Sequence, residues 1–447
     1  MRKKTTEISA QEEKKTAPEK RKSKKDNREI RWDRLDNTAH LFPVIAGESM
    51  SNVYRISVTL KELIQPEALQ QALDMVLPKF DLFNVRLRSG VFWYYFEENN
   101  APAPKVTEES AFPCRFIVRN KNRNYLFRVT YYKYRINLEV FHVLTDGMGG
   151  INFLKELTYQ YLRLVHPELR KDENDSLNHH TSLNREDSFL KNYKKSARRG
   201  YQTKKAFLIK GAHLPPGEFG VMHGYIPIGA LKEVCKRYGV SINEYLVGTF
   251  VWSVYQECLH GMPSKRPIRV AVPVNLRPFF DSITTKNFFA MVSAEFHPTK
   301  ETYTFEEVLQ IVQESLRAQI QKDNLEKLFS YNVSNEKIVW ARMVPLPIKN
   351  IAIKTIYTQS ALANTATVTN IGKIETESEY TPYIDMFYAF LAMSKGQHLK
   401  GTICAYGDTL SFNFSSDLAD TSVQRGFFRQ LSSDGLQVEI ETNGVYY

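Results

Sequence analysis

The most constraining feature of this chain is a strand-like segment that runs directly into a histidine, a tight turn and a helix. Residues Ile136 to His142 read as the second arm of a β-hairpin, and apolar residues from Phe153 onward recur at helical spacing. Between these two segments lies a His-x-x-x-Asp-Gly motif, formed by His142, Asp146 and Gly147. The motif therefore sits where a strand ends and a helix begins, and we expect an α/β fold with its chemistry at this junction.

An imidazole at the end of a strand suits acyl transfer. Its reference pKa of about 6.5 leaves it largely neutral near neutral pH, so it can accept a proton from an attacking group. The same spacing also arises by chance, and a hydrogen-bonded core or surface histidine is the alternative interpretation of His142.

Helices and strands are predicted on both sides of the motif. The strands are expected at 53–60, 91–96, 125–132, 136–142, 268–274, 365–369 and 402–414, and the helices at 66–77, 153–165, 231–238, 241–258 and 305–322. Helices alternate with strands that look antiparallel or mixed, which is typical of a two-domain α/β protein.

The length of 447 residues, of which 43% are hydrophobic, exceeds what one simple core accommodates. We predict a disordered basic tail over residues 1–30 and an N-terminal domain with the motif over 31–175. A polar interdomain linker is expected over 176–205 and a C-terminal domain over 206–447.

The net charge of +11 does not indicate a nucleic-acid-binding protein. Residues 1–28 contain 11 Lys and Arg against 5 Asp and Glu, so this segment alone carries +6. The remaining +5 is spread over more than 400 residues without a recognisable nucleic-acid-binding module.

The cysteine and histidine patterns favour a cytoplasmic protein without a metal centre. The cysteines are widely separated, which suggests free thiols in a reducing compartment, and no signal peptide or membrane span is readable. The pair His179-His180 lies near Asp172 and Asp175 but lacks the spacing of a zinc site. We therefore expect no bound metal.

Three further segments occur in order with the motif. They read Ser-Ile-Asn-Glu-Tyr-Leu at 241–246, Val-Pro-Val-Asn-Leu-Arg-Pro at 272–278 and Thr-Asn-Ile-Gly-Lys-Ile at 369–374. With His142-x-x-x-Asp146-Gly147, this set resembles the chloramphenicol acetyltransferase-like superfamily. It is most similar to bacterial alcohol O-acetyltransferases and polyketide-associated acyltransferases, and it is also related to the condensation domains of peptide synthetases.

Two departures narrow the resemblance. Phe141 precedes His142, whereas condensation domains usually carry a second histidine at that position. The Asp-Phe-Gly-Trp-Gly signature of the plant branch is absent from the sequence. The first observation counts against peptide-bond synthesis, and the second counts against a plant-type enzyme.

The resemblance implies two chloramphenicol acetyltransferase-like domains, each a mixed β-sheet with flanking helices, and an active-site tunnel between them. His142 would lie in the middle of the tunnel. A CoA or carrier-protein thioester would enter from one face as a co-substrate, and an alcohol or amine acceptor, possibly lipophilic, from the other. No bound cofactor is expected.

Site roles are predicted for five residues. His142 is the general base, acting without an acyl-enzyme. Asp146 either orients the imidazole or, as we favour from the resemblance, pairs with Arg277 to hold the loop. Gly147 allows a tight or positive-φ turn. Asn370 either donates a hydrogen bond to an oxyanion or serves the turn in which it lies.

Three functions remain open at the level of sequence. The first is an O-acyltransferase that transfers an acyl group, acetyl being our first choice, to an alcohol. The second is a catalytically silent protein of the same fold that binds a carrier protein or a lipid. The third is a peripheral membrane protein that acts on lipid acceptors and uses its basic tail as a tether.

Overall fold

A computed structural model describes residues 32–170, 177, 181–195, 204–337 and 343–446. The predicted tail over residues 1–30 and residues 196–203 of the predicted linker lie outside these ranges. So does the pair His179-His180.

The strands of the described part are organised in three sheets. Their bounds are β1 (Trp32–Arg34), β2 (Val53–Leu60), β3 (Val85–Ser89), β4 (Tyr94–Glu98), β5 (Thr107–Glu108), β6 (Phe127–Tyr132), β7 (Arg135–Phe141), β8 (Gly220–Pro227), β9 (Ile268–Asn275), β10 (Phe289–Phe296), β11 (Ala366–Lys373), β12 (Ile384–Leu391), β13 (Leu399–Tyr406), β14 (Thr409–Ser416) and β15 (Glu439–Thr442).

Helices separate many of these strands. In the described part they are α1 (Phe42–Ile45), α2 (Pro66–Val76), α3 (Gly147–Val165), α4 (Ser188–Lys191), α5 (Ile228–Tyr238), α6 (Ile242–Leu259), α7 (Arg277–Phe280), α8 (Phe305–Gln319), α9 (Lys322–Lys337), α10 (Leu346–Ala361) and α11 (Ser422–Ser433). None of these helices is both long enough and apolar enough to cross a lipid bilayer.

Two larger sheets form the frame of the molecule. The first has five strands in the order β12-β2-β7-β6-β5, and the second has seven in the order β10-β9-β11-β13-β14-β8-β15. Both are mixed, since β5 pairs in parallel with β6 and β11 pairs in parallel with both β9 and β13. A third, three-stranded sheet has the order β1-β4-β3.

Each larger sheet has its own hydrophobic core. The first core packs α2 and α3 against the five-stranded sheet and contains the stacked rings of Phe83 and Phe153, whose centroids are 4.0 Å apart. The second core gathers α6, α8 and α11 around the seven-stranded sheet. The molecule is therefore built from two α/β halves, as the sequence predicted.

The two halves share chain segments. Strand β12, which lies late in the sequence, pairs with β2 and completes the first sheet, with Phe387 opposite Val58. It also packs against β13 of the second sheet, and the hydroxyl of Tyr225 in β8 donates to that of Tyr388 in β12 at 3.3 Å. The sheets thus do not follow a single cut at residue 206, and the domain ranges stay a prediction.

Local sequence signals account for several element boundaries. Pro66 opens α2, and Ser241 begins α6 with a capping box in which its side chain and that of Glu244 each bind the other's backbone N–H. The segment predicted as one strand at 402–414 is instead a hairpin of β13 and β14. Gly407 makes its turn at φ +56°, where a residue without Cβ is favoured.

Candidate active site

His142 lies directly after β7, where the first sheet ends. Its backbone N–H donates to the carbonyl of Asn52 at 3.0 Å, which fixes the chain at the strand end. The imidazole stacks on Phe42 with ring centroids 4.6 Å apart. It also packs edge-to-face with Tyr54, with ring centroids 5.1 Å apart. Phe289 of β10 closes a third side at 5.8 Å. The ring is thus surrounded by aromatic groups from both halves, and it is half-buried.

Asn287 holds the imidazole through one nitrogen. The Nδ1 atom of His142 lies 3.1 Å from Oδ1 of Asn287. The Nδ2 group of Asn287 donates to Oδ2 of Asp36 at 2.8 Å, and its backbone N–H donates to the same oxygen at 3.3 Å. Because Nδ2 faces a carboxyl oxygen, Oδ1 is the atom that faces the imidazole. The Nδ1 atom must then carry the proton, which leaves Nε2 as the basic nitrogen.

The surroundings of His142 favour its neutral form. Burial lowers the pKa of His142, and this effect exceeds the opposing influence of its own carbonyl, the charge of Asp146 and the hydrogen bond to Asn287. Burial also raises the pKa of Asp36 to about 7, although hydrogen bonds from Asn287 and Ala39 oppose the shift. At neutral pH the imidazole is therefore ready to accept a proton.

Asp146 faces away from the imidazole and organises the turn. Its carboxylate forms a two-pronged ion pair with Arg277, at 2.9 Å to Nη1 and 3.1 Å to Nη2. It also accepts hydrogen bonds from the backbone N–H of Gly149, as the N-cap of α3, and from that of Phe288. The expected pair with Arg277 is present, and its geometry matches the structural role that we favoured.

Arg277 is held as firmly as its partner. Its Nε donates to the carbonyl of Thr284 and its Nη2 to that of Lys286, each at 2.8 Å. The ion pair therefore joins the first turn of α3 in one half to the loop between β9 and β10 in the other. This loop ends at Asn287, so the contact that holds Asp146 also places the partner of His142.

At positions 149 and 150 the surrounding atoms leave no room for a side chain, so glycine is required there. Gly147 begins α3 without a positive φ, and a Cβ there would lie 3.8 Å from Ile371, an ordinary contact. Of the two conformations predicted for Gly147, a tight or a positive-φ turn, the structure shows no positive φ. A Cβ at Gly149 would overlap Oγ1 of Thr145, and one at Gly150 would lie 2.7 Å from the hydroxyl of Tyr54.

Asn370 serves a turn. Its side chain is exposed, and its Oδ1 accepts the backbone N–H of Gly372 at 2.8 Å, where the pairing of β11 with β13 shifts register. Its Nδ2 lies 3.4 Å from Oδ1 of Asn243. The structure thus places the Asn370 amide in the turn, as the second of our two interpretations expected, and not against the imidazole.

Sequence reasoning missed Asn287 and Asp36. Asn287 is separated from His142 by 145 positions, and Asp36 lies 251 positions before Asn287. Both side chains are almost completely buried, with 1% of each residue exposed. The only signal was the presence of two polar residues beside apolar segments, which many surface turns share.

Comparison with known proteins extends this description. No family model matches the sequence, and no curated protein matches it significantly. Several solved structures are similar over nearly the whole chain. Polyketide synthase associated protein 5 from Mycobacterium tuberculosis superposes with a TM-score of 0.58 and 14% identity, over 89% of this chain and 96% of that one.

Two fungal structures are similarly close. TRI101 of F. graminearum, complexed with ethyl coenzyme A, gives a TM-score of 0.60 at 11% identity, over 92% of this chain and 100% of that one. TRI3 trichothecene 15-O-acetyltransferase from Fusarium sporotrichioides gives 0.56 at 10% identity, over 90% and 94%. The chain therefore shares the fold of these solved structures, and this agrees with the fold that the ordered motifs predicted.

Proposed function

We propose that this protein is an O-acyltransferase that moves an acyl group from a thioester to an alcohol, with His142 as the general base. The observation that carries the proposal is the orientation of the imidazole. Asn287 engages Nδ1, so Nε2 is the free basic atom of a neutral ring at the junction of the two halves. The similarity to TRI3, whose name states an O-acetyl transfer, supports the same class of reaction.

The reaction follows from one proton transfer and one displacement. Nε2 of His142 takes the proton of the acceptor hydroxyl while the oxygen forms a bond to the thioester carbonyl carbon. The carbon–sulfur bond then breaks, and the imidazolium returns its proton to the leaving thiolate. The free thiol and the ester are the products, and no acyl-enzyme forms.

Asn287 and Asp36 act in this proposal as positioning residues. A base must be held in the right tautomer and direction, because a ring that flips presents a protonated nitrogen to the substrate. Asp36 fixes the amide of Asn287, and the amide fixes the imidazole. Asp146 and Arg277 support the same geometry by holding the two loops together.

The donor is proposed to be an acyl-CoA or an acyl carrier thioester, with acetyl as the first acyl group to test. TRI101 was captured with ethyl coenzyme A, which supports a CoA donor for a chain of the same fold. The aromatic surroundings of His142 favour an apolar acceptor. The free cysteines of the described part agree with a reaction in a reducing compartment, and we propose the cytoplasm.

The test is to incubate the full chain with acetyl-CoA, longer acyl-CoAs and acyl carrier thioesters, each with a panel of alcohols and amines. Free thiol and acylated product are measured together by absorbance and mass spectrometry. The proposal predicts acceptor-dependent thiol release with an ester as product. An amide as the main product would show that the acceptor is an amine and not an alcohol. No turnover of any donor would favour the catalytically silent binding protein.

A further inference from the structure

Two histidines and an aspartate converge on the second half of the molecule, outside the site around His142. The Nδ1 atom of His398 lies 3.1 Å from each carboxylate oxygen of Asp417. The Nδ1 atom of His213 lies 3.5 Å from Oδ2 of the same carboxylate. The three ligand atoms all lie within 4.8 Å of one another, so a single small ion could contact all of them.

The three residues come from separate segments that backbone hydrogen bonds tie together. His398 directly precedes β13, and Asp417 directly follows β14. The backbone N–H of Asp417 donates to the carbonyl of His398 at 3.2 Å, and that of Leu214 donates to the carbonyl of Asp417 at 2.8 Å. The side chains are thus presented by a fixed backbone frame, which lowers the entropy cost of binding.

The spacing fits tetrahedral coordination of a small divalent ion. Zinc binds imidazole nitrogen and carboxylate oxygen at about 2.0–2.2 Å, which places neighbouring ligand atoms about 3.3–3.6 Å apart in a tetrahedral site. The observed separation of 3.5 Å lies within this range, and that of 3.1 Å lies just below it. The side chain of His213 is 55% exposed and that of His398 is 29% exposed, so a hydrated ion can reach the group.

The composition of the group selects the class of ion. Two imidazoles and one carboxylate suit zinc, cobalt, nickel or copper, whereas calcium and magnesium prefer shells of oxygen. Three protein ligands leave a fourth position for water. The sequence did not reveal this group, because its members lie in three segments without a metal-binding spacing.

We propose that His213, His398 and Asp417 form a binding site for one divalent transition-metal ion. The ion joins the segment before β8 to the shared end of the β13–β14 hairpin. Its role is to stabilise the end of these strands of the second sheet, and it is independent of the acyl transfer at His142.

The test is a titration of the full chain, stripped of metal by chelation, with Zn²⁺ by calorimetry and with Co²⁺ by its visible absorption. Wild type is compared with His398→Ala and His213→Ala. The matched control is His166→Ala, because His166 also lies 3.4 Å from each of two carboxylates, Glu62 and Glu168, but has no second imidazole beside it in the described part. A second control replaces both His179 and His180 by alanine.

The proposal predicts one saturable site per chain and a melting temperature that rises with Zn²⁺. Each ligand substitution should weaken binding at least about tenfold, because changing even outer-shell partners of a metal costs about 10–100-fold in affinity. Both controls should bind as wild type does. No saturable binding to wild type, or binding that survives loss of His213 and His398, would overturn the proposal. Binding lost on replacing His179 and His180 would do the same.

Discussion

Two histidines of this protein share the same kind of hydrogen-bond partner but lie at different places on their sheets. Nδ1 of His142 lies 3.1 Å from the amide oxygen of Asn287, and Nδ1 of His223 lies 2.6 Å from that of Asn413. Both rings have aromatic neighbours, Tyr388 lying 4.8 Å from His223. An amide partner and an aromatic setting therefore do not distinguish a reactive histidine from a structural one.

The difference lies in where each ring sits on its sheet. His223 lies inside β8, which pairs with β14 on one side and with β15 on the other, and only 8% of the residue is exposed. Burial lowers its pKa to about 4. His142 follows the last residue of β7, is half-buried and borders Phe289 of the second half. In the proposed mechanism, this position at the end of a strand leaves the base accessible to substrate.

Replacing His142 and His223 by alanine, one at a time, tests this comparison, and the loss of activity in His142→Ala is the largest effect that we expect. His142→Ala should lower kcat/KM by about 10²–10⁴-fold, the usual contribution of a general base. His223→Ala should keep most of the activity. Each variant should lose about 1–3 kcal/mol of stability, because each leaves the Oδ1 atom of a buried asparagine, Asn287 or Asn413, without its imidazole partner. Thiol release and thermal unfolding measure both effects. Equal activity losses in the two variants would remove the distinction.

The ion pair between Asp146 and Arg277 should matter first for stability. Asp146→Asn leaves the guanidinium without its buried counter-charge, at a cost of about 3–5 kcal/mol. Arg277→Lys keeps the charge, loses the two-pronged contact and should be less harmful. Chemical denaturation of the free protein measures the change. An Asp146→Asn variant with wild-type stability and no activity would instead give the carboxylate a chemical role.

Gly147 and Gly149, both in the first turn of α3, should respond differently to replacement by alanine. Gly149→Ala forces a methyl group against Thr145 and to within 2.6 Å of the carbonyl oxygen of Thr285, and overpacking of this kind costs about 1–3 kcal/mol. Gly147→Ala meets open space apart from Ile371 and should fold as wild type does. Thermal melts of the two variants suffice, and equal destabilisation would contradict the packing described here.

The sequence predicted what depends on local pattern. The strand that leads to His142, most of the helix that follows Gly147 and the helix that begins after Ser241 follow from the spacing of apolar residues. The motif resemblance also predicted the fold and the partner of Asp146. These features are either local in the chain or belong to an ordered set of motifs.

The remaining features depend on contacts between distant segments. Nothing near Asn287 shows that its amide meets an imidazole 145 positions away, and nothing near Asp36 shows that it will be buried beneath that amide. The entry of β12 into the first sheet is equally hidden, because strand pairing over long separations leaves no local signature. Part of the crowding at Gly149 is equally non-local, because the carbonyl oxygen of Thr285, a residue of the other half, adds to the close contact with Thr145.

The most direct test of the account is the pH dependence of kcat/KM in wild type and Asn287→Asp. Loss of activity in His142→Ala alone could have a structural cause, whereas a moved titration identifies the group that takes the proton. The wild-type activity should fall as pH decreases, with a midpoint below 6.5, because only the neutral imidazole is a base and burial lowers its pKa.

A carboxylate at position 287 would stabilise the imidazolium and raise the pKa of His142, so the acidic limb should move upward by about 1 unit or more. In wild type, burial raises the pKa of Asp36 to about 7, so Asp36 is the carboxyl group that we expect to be protonated when a second carboxylate lies beside it. Asn287→Ala is the control, which should lower the rate without an upward shift. An acidic limb at the same pH in Asn287→Asp and wild type would contradict the assignment of His142 as the base.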